Sequence, residues 1–268
     1  MKLTVNDVSL YVEQAGSSAQ PSLVFLHYWG GTHRTWSQVI AALGEDFHTV
    51  AFDSPGWGQS GASPRGYTIH AQAELTQALL DTLGLERYIL VGHSMGGKVA
   101  QLVASRRPRG LAGLVLVAPA TPVPSLMPEE AKQQQLHAYD NRETALQSIR
   151  VLTARMPGAQ TVAQIVEDSL SAIAEAKLVW PTIGMAEDIS AEVGRISAPT
   201  LLLAGELDQV DSIEQHRREV IARIPDAALR IIPGAGHLLP IDAPVVVAQE
   251  IASFAKAVDL AQRVAAEK

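Results

Sequence analysis

Arg87-Tyr88-Ile89-Leu90-Val91-Gly92-His93-Ser94-Met95-Gly96-Gly97-Lys98-Val99-Ala100 is the stretch whose reading decides the fold. It opens as a short β-rich run, Arg87 to Val91, and continues as a helical pattern from Ser94 to Arg107, stopped before Pro108. A chain that turns this abruptly from strand to helix forces the residue at the turn into strained dihedrals. Gly92 and Gly96 carry no side chain to strike the neighbouring backbone there. A G-x-S-x-G turn in this setting lifts the Ser94 hydroxyl above the sheet, beside a helix N-terminus. The free N–H groups and positive dipole of that terminus favour a developing anion. Without the flanking strand and helix the pentapeptide would be an ordinary glycine turn. With them, Ser94 is a candidate nucleophile.

Outward from this turn, strands and helices alternate. Leu3 to Val5 and Val8 to Glu13 read as a hairpin turned at Asn6-Asp7, and Ser22 to His27 as a buried strand. Thr35 to Leu43 has helical spacing, Phe47 to Phe52 is a strand, and Thr68 to Leu83 is a helix between a Thr68 N-cap and a Gly84 stop. Leu114 to Val117 is a further strand. Ser17 to Pro21 is a plain loop. From Ala120 to Ser197 the alternation fails, and helical segments follow one another at Pro128 to Tyr139, Arg142 to Thr153 and Val162 to Leu178. Strand and helix resume at Thr200 to Ala204, Ser212 to Ile224, Ala228 to Ile232 and Ala243 onward. Alternating βαβ units predict an α/β fold, a mostly parallel twisted sheet with helices on both faces. The division that follows is a core of residues 1–119 and 198–268, with 120–197 as a helical insertion over one end of the sheet.

Composition narrows the function classes. The chain has 268 residues, enough to bury a large core. A formal net charge of −7 argues against a nucleic-acid partner, which would require clustered Lys and Arg. The basic run His216-Arg217-Arg218 lies between Glu214 and Glu219 and reads as a solvated helix face. With no cysteine, disulfides, thiolate metal sites and a cysteine nucleophile are excluded. Met1 to Asp7 shows no long apolar run or cleavage site, and no stretch is apolar enough to span a membrane, so a cytoplasmic location is the expectation. No H-E-x-x-H, paired histidine or carboxylate cluster suggests a metal, and no cofactor is expected. The partner expected is a small-molecule substrate; the oligomeric state is not legible.

A serine hydroxyl is a weak nucleophile and needs a base. His237, in Pro233-Gly234-Ala235-Gly236-His237, follows the last strand, at the sheet edge where open α/β folds bind ligands. His93 adjoins Ser94, but turn neighbours rarely face each other, so it reads as a packing residue. His33, His48, His70, His137 and His216 have no comparable placement. The base needs a carboxylate to fix its tautomer and stabilise its charged form. Asp208, just after the Thr200 to Ala204 strand, gives the chain order Ser94, Asp208, His237. Asp211 is the rival, but it reads better as the cap region of the next helix, with Ser212.

A tetrahedral intermediate needs two N–H donors. The backbone of Met95, after the nucleophile, supplies one. The other comes from His27-Tyr28-Trp29-Gly30-Gly31, by position from Trp29. Gly56-Trp57-Gly58-Gln59-Ser60-Gly61 fits G-x-G-x-x-G, yet Pro64 and Gly66 follow where a dinucleotide fold requires a helix, so nucleotide binding is rejected.

These motifs together resemble the α/β-hydrolase superfamily, in its esterase, haloperoxidase-like and C–C hydrolase branch. The marks are His27-Tyr28-Trp29-Gly30-Gly31 (family form H-G-x-G), Asp53-Ser54-Pro55-Gly56-Trp57-Gly58-Gln59-Ser60 (family form D-x-x-G-x-G-x-S), the Gly92 to Gly97 turn, Asp208 and Gly236-His237. The resemblance covers nearly the whole chain outside the insertion. It implies the roles already assigned to Ser94, Asp208, His237, Trp29 and Met95, and a helical cap at 120–197. Tyr28 departs from the family, standing where glycine is usual.

The expected reaction is hydrolysis of a small to medium carboxylic ester or lactone through an acyl-Ser94. Leu126, Met127, Leu152, Met156, Leu178, Trp180 and Met185 offer apolar surface in the cap, with Tyr28, Trp29 and Trp180 the favoured substrate contacts. Perhydrolysis, with peroxide replacing water, needs no other residues. Cleavage of C–C bonds would want a polar cap, for which only Arg142, Arg150, Arg155 and Lys177 are available. A ligand-binding receptor on the same fold is the alternative of another class.

Overall fold

A computed structural model describes residues 1–17, 22–125 and 127–266. Ser18 to Pro21, in the loop read from sequence, and Leu126, one of the apolar cap residues, lie outside the described residues. Among the described residues eight strands form one sheet in the order β1-β2-β4-β3-β5-β6-β7-β8. These are β1 (Lys2–Val5), β2 (Val8–Ala15), β3 (Ser22–Leu26), β4 (His48–Phe52), β5 (Tyr88–His93), β6 (Leu111–Val117), β7 (Thr200–Gly205) and β8 (Ala228–Ile232). β1 and β2 form the antiparallel hairpin read from sequence, and β2 pairs antiparallel with β4. The turn works because Asn6 and Asp7 take positive φ values of 47 and 66, which Asn and Asp tolerate. The remaining strands pair in parallel.

Parallel strands are covered on both faces, so they read as continuous aliphatic runs. Alternate residues then serve separate cores. Val24, Leu26, Leu90, Leu114 and Leu116 pack on one side, against α2 (Ile69–Leu83) and α3 (Met95–Ser105). Leu23, Phe25, Val91, Val115 and Val117 pack on the other, against α1 (Ser37–Leu43) and the C-terminal helix, Pro244–Ala266. Thr68 caps α2 by accepting from Ala71 N at 3.2 Å, and Gly84 ends it at φ 61.

Between β6 and β7 the described residues contain helices and no strand: α4 (Glu129–Leu136), α5 (Arg142–Leu152), α6 (Ala159–Leu170), α7 (Ala174–Val179) and α8 (Ser190–Val193). The single helix expected over Val162 to Leu178 is broken at Ser171 to Ile173. Ile173 N donates to Gly56 O at 2.9 Å and Gly58 N donates to Ser171 Oγ at 3.0 Å, so the chain leaves helical geometry to dock on the loop after β4. The helix expected over Ser212 to Ile224 is a short turn, α9 (Ile213–His216), continued by a π turn at Arg217–Ile221. His216 corrects the reading of a solvated basic run. It is fully buried and bonds Pro119 O through Nε2 at 3.0 Å, while Arg217 and Arg218 do face solvent.

The strand order reverses between β3 and β5, where the chain first runs outward to one edge and then to the other. The loops that leave the carboxyl ends of the strands there diverge and open a crevice. His27 to Gly31 follow β3, Ser94 follows β5, Asp208 follows β7 and His237 follows β8. All the candidate residues except those of the insertion thus reach one end of one sheet. No helix among the described residues is long and apolar enough to cross a membrane.

Candidate active site

Ser94 has φ 52 and ψ −116, a left-handed conformation that a non-glycine residue adopts only when its surroundings enforce it. The enforcement is steric. A Cβ at Gly92 would lie 2.5 Å from Gly96 O, and one at Gly96 would lie 2.5 Å from His27 O. Ser94 N donates to Val117 O at 3.1 Å, and Ala120 N donates to Ser94 O at 3.0 Å, so the strained residue is stapled to β6.

His237 stands between Ser94 and Asp208. Its Nε2 lies 2.9 Å from Ser94 Oγ, and its Nδ1 lies 2.9 Å from Asp208 Oδ2. With Asp208 ionised, Nδ1 carries the proton and Nε2 is left as the acceptor facing the serine. The other carboxylate oxygen, Oδ1, accepts from Val210 N at 2.7 Å and Asp211 N at 3.1 Å, so both acceptor sites of Asp208 are occupied. Burial is the largest influence on Asp208 and raises its pKa, but the charge and hydrogen bond of His237 and the two amides together hold it below the usual value. Burial likewise pulls His237 down. The charge and hydrogen bond of Asp208, with Asp211 behind them, outweigh it and leave the imidazole above its ordinary pKa.

The loop after β3 is held from below and above. His27 Nδ1 lies 2.7 Å from Tyr28 O, while its Nε2 accepts from Ser54 N at 2.9 Å, which fixes the tautomer with Nδ1 as donor. From the insertion, Tyr139 Oη donates to Trp29 O at 3.0 Å, and Trp29 Nε1 donates to Lys177 O at 3.0 Å. Gly30 has φ 102, and a Cβ there would lie 2.3 Å from the Tyr139 hydroxyl. Among the described residues neither the Trp29 N–H nor the Met95 N–H donates a hydrogen bond.

The G-x-G-x-x-G segment is a structural loop. Asp53, fully buried, accepts from His33 N at 2.7 Å and Gln59 N at 2.8 Å, and lies 2.7 Å from His33 Nδ1. Gly58, at φ 53, leaves no room for a side chain, since a Cβ would lie 2.3 Å from Asp53 Oδ2. The segment ties together β2, β4 and the insertion.

A cavity of about 970 Å³ opens over Ser94. Tyr28, Trp29, His237 and Asp211 line it from the core, and Met127, Leu152, Trp180 and Met185 from the insertion. Met156 and Leu178 are not brought there and stand exposed. Of the basic residues weighed for C–C cleavage, none lines the cavity. Arg142, Arg150 and Arg155 are exposed, and Lys177 donates to Tyr139 O at 3.2 Å. Among the described residues no group of three or more His, Cys, Asp or Glu is placed to hold a metal ion.

Sequence reasoning weighed Asp211 only as a rival triad acid or helix cap and passed over Lys98. Asp211 is not merely part of the next helix's cap, a task Ser212 performs by accepting from Gln215 N at 3.2 Å. It is buried on the cavity wall, its pKa pushed up to about 7 chiefly by burial. Lys98 is also buried on that wall. Its position one turn after Ser94, on the same helix face, was the available signal.

A profile described as "Alpha/beta hydrolase family" matches residues 23–250. The chain belongs to the alpha/beta hydrolase family. It is 31% identical over 231 residues to a Stutzerimonas stutzeri protein provisionally named carbamate hydrolase RutD, covering 81% of this chain and 84% of that one. It is 28% identical over 248 residues to the pimeloyl-acyl-carrier-protein methyl ester esterase of Nitrosomonas europaea, covering 85% and 92%. A thermophilic esterase from Thermogutta terrifontis superposes with a TM-score of 0.82 at 27% identity, over 96% of this chain and 98% of that one.

Proposed function

We propose that this member of the alpha/beta hydrolase family is a serine hydrolase of small to medium carboxylic esters or lactones, working through an acyl-Ser94. The observation that carries the reading is His237 Nε2 at 2.9 Å from Ser94 Oγ, with Nδ1 at 2.9 Å from Asp208. Ser94 Oγ attacks the carbonyl carbon as its proton passes to His237 Nε2. The carbonyl oxygen becomes an oxyanion on the N–H groups of Trp29 and Met95. As the tetrahedral intermediate collapses, the bond to the leaving alkoxide breaks and His237 returns the proton to it. Water then repeats the sequence on the acyl-Ser94, giving the acid and free serine. Asp208 keeps the imidazole in the productive tautomer throughout.

The insertion, residues 120–197, acts in this reading as a cap. It closes a cavity over the nucleophile and anchors the oxyanion loop through Tyr139 and Lys177. Tyr28, Trp29 and Trp180 are the expected substrate contacts. The names of the relatives support the chemistry, since a carbamate and a methyl ester both present a carbonyl with a heteroatom leaving group.

The test is a fluorophosphonate probe with peptide mapping. Fast labelling confined to Ser94, competed by a p-nitrophenyl ester that the protein turns over, is the expected result. Labelling elsewhere, or none, overturns the reading in favour of a ligand receptor.

A further inference from the structure

Lys98 is 1% exposed, lies on the wall of the cavity, and forms no hydrogen bond or ion pair among the described residues. A cation at the edge of a buried cavity ordinarily has an anionic partner, and this one lacks one among the described residues. The carboxylates whose charge reaches it are committed elsewhere. Glu187 accepts from Ile69 N at 2.7 Å and lies 2.9 Å from His70 Nδ1. Asp188 accepts from Ser190 N at 2.9 Å. Asp211 has only a long contact from Gln215 Nε2, at 3.4 Å. A helix rises ~1.5 Å per residue, so Lys98 lies ~6 Å along α3 from Ser94 and on the same face. Helical side chains lean toward the N-terminus, which brings this one back toward the nucleophile.

We infer that Lys98 is the specificity group of this site and receives a free carboxylate on the substrate, so that the preferred ester carries that carboxylate a short chain away from the scissile carbonyl. The inference rests on the reading of Ser94 as an ester-cleaving nucleophile and narrows its substrate class. Charge favours an anion over an amine, because an ammonium already occupies the position. Asp211 is compatible with such a ligand. Burial pushes its carboxyl up to about 7, so near neutrality much of it is protonated and can donate an O–H to the incoming carboxylate. Burial pulls Lys98 down to about 8, against the nearby carboxylates, so it stays mostly charged at pH 7. The wall is mixed, with Tyr28, Trp29, Leu152 and Trp180 beside polar residues such as Thr121 and Gln209, and an ion pair formed there strengthens once the ligand has displaced water.

The test compares monomethyl glutarate with methyl 5-methylhexanoate, its uncharged isostere, using the wild type, Lys98→Met and Lys98→Arg. The wild type is expected to favour the charged ester in kcat/KM. In Lys98→Met the charged-to-uncharged ratio falls roughly tenfold to a hundredfold, as loss of a charge-assisted hydrogen bond implies. The loss should appear chiefly in KM, and Lys98→Arg should recover part of it. A wild type without preference, or a Lys98→Met protein that loses both esters alike, overturns the inference while leaving the ester-hydrolase reading intact. If the wild type cleaves neither ester, that reading is what fails, and recognition is decided by binding. Glutarate must then raise the melting temperature of Ser94→Ala but not of Ser94→Ala with Lys98→Met; equal shifts, or none, overturn it.

Discussion

His93 holds the backbone of His237: its Nε2 donates to the His237 carbonyl across 2.8 Å. The residue before the candidate nucleophile thereby fixes the main chain of the candidate base. Burial, with the neighbouring His237 next in weight, pulls the His93 pKa down to about 3, so it is neutral wherever the protein works. Nδ1 has no partner, which leaves Nε2 as the protonated nitrogen. Its ring also packs at 5.2 Å from that of Tyr28 and 6.1 Å from that of Trp36.

His93→Phe keeps those ring contacts and removes the hydrogen bond. The His237 carbonyl keeps Leu239 N as a donor at 2.9 Å but loses the imidazole, which costs about 0.5–1.5 kcal/mol of stability. We expect kcat to fall by roughly tenfold with KM little changed, because the loss lies in the placement of the base and not in binding. Steady-state kinetics on a p-nitrophenyl ester and a thermal melt check both. A changed KM at constant kcat would show that His93 contacts substrate instead.

Ser94→Ala should fold normally and lose ester hydrolysis by roughly 10³-fold or more, as removal of a triad member does elsewhere. The strained φ of 52 stays, since the backbone around Gly92 and Gly96 enforces it and Ala tolerates it no better than Ser. Activity close to wild type in this variant would remove Ser94 from the mechanism.

Tyr28, where the chain departs from its family, both packs and faces the cavity. It is 4% exposed, and its ring edge would lie 2.6 Å from a Cβ at Gly31. Tyr28→Gly should therefore lower stability by about 3–5 kcal/mol, as truncating a buried aromatic does. It should also raise kcat/KM for octanoyl relative to acetyl esters. An unchanged acyl-chain profile together with a lower melting temperature would reduce Tyr28 to packing alone.

Asp53 gives a stability test with a definite sign. Burial raises its pKa, but the hydrogen bonds from His33 and Gln59 outweigh it, so the folded pKa lies below the ordinary value. A carboxyl depressed in this way contributes stability above the ordinary carboxylate range, and that contribution is lost as pH falls through the folded pKa. Asp53→Asn should cost about 1–3 kcal/mol at pH 7 and progressively less toward pH 3. Melts across that range check it; a difference that grows on acidification has the wrong sign.

Much of this was legible because the fold's demands are local. The Gly92 to Gly97 turn needs glycine where backbone meets backbone, and β3 to β7 need aliphatic runs because both faces are covered. The order Ser94, Asp208, His237 needs only that each follow a strand. What the sequence hid depends on contacts between distant segments. The break at Ser171 to Ile173 is set by hydrogen bonds to Gly56 and Gly58, more than a hundred positions away, so helical periodicity alone overran it. His216 looked solvated among charges because its buried partner, Pro119 O, belongs to another loop. Lys98 offered only its position one turn after Ser94 and Asp211 carried no motif, and the fold shows that both line the same cavity.

The pH dependence of turnover ties the candidate triad together. His237 must be neutral to accept the Ser94 proton, so activity rises with pH through its ionisation. Asp208, by charge and hydrogen bond, outweighs burial and holds that ionisation above the ordinary imidazole value of 6.5. The rising limb is therefore expected above 6.5, and Asp208→Asn should move it to lower pH while cutting kcat by roughly 10⁴, since the tautomer is no longer fixed. Asp211, with its own pKa of about 7, titrates in the same window and needs separating. Its charge also raises His237, but it makes no hydrogen bond to the ring. Asp211→Asn should then shift the limb slightly downward without the collapse in kcat. A limb that stays in place in Asp208→Asn and vanishes in Asp211→Asn would assign the ionisation to Asp211 and take His237 out of the role of base.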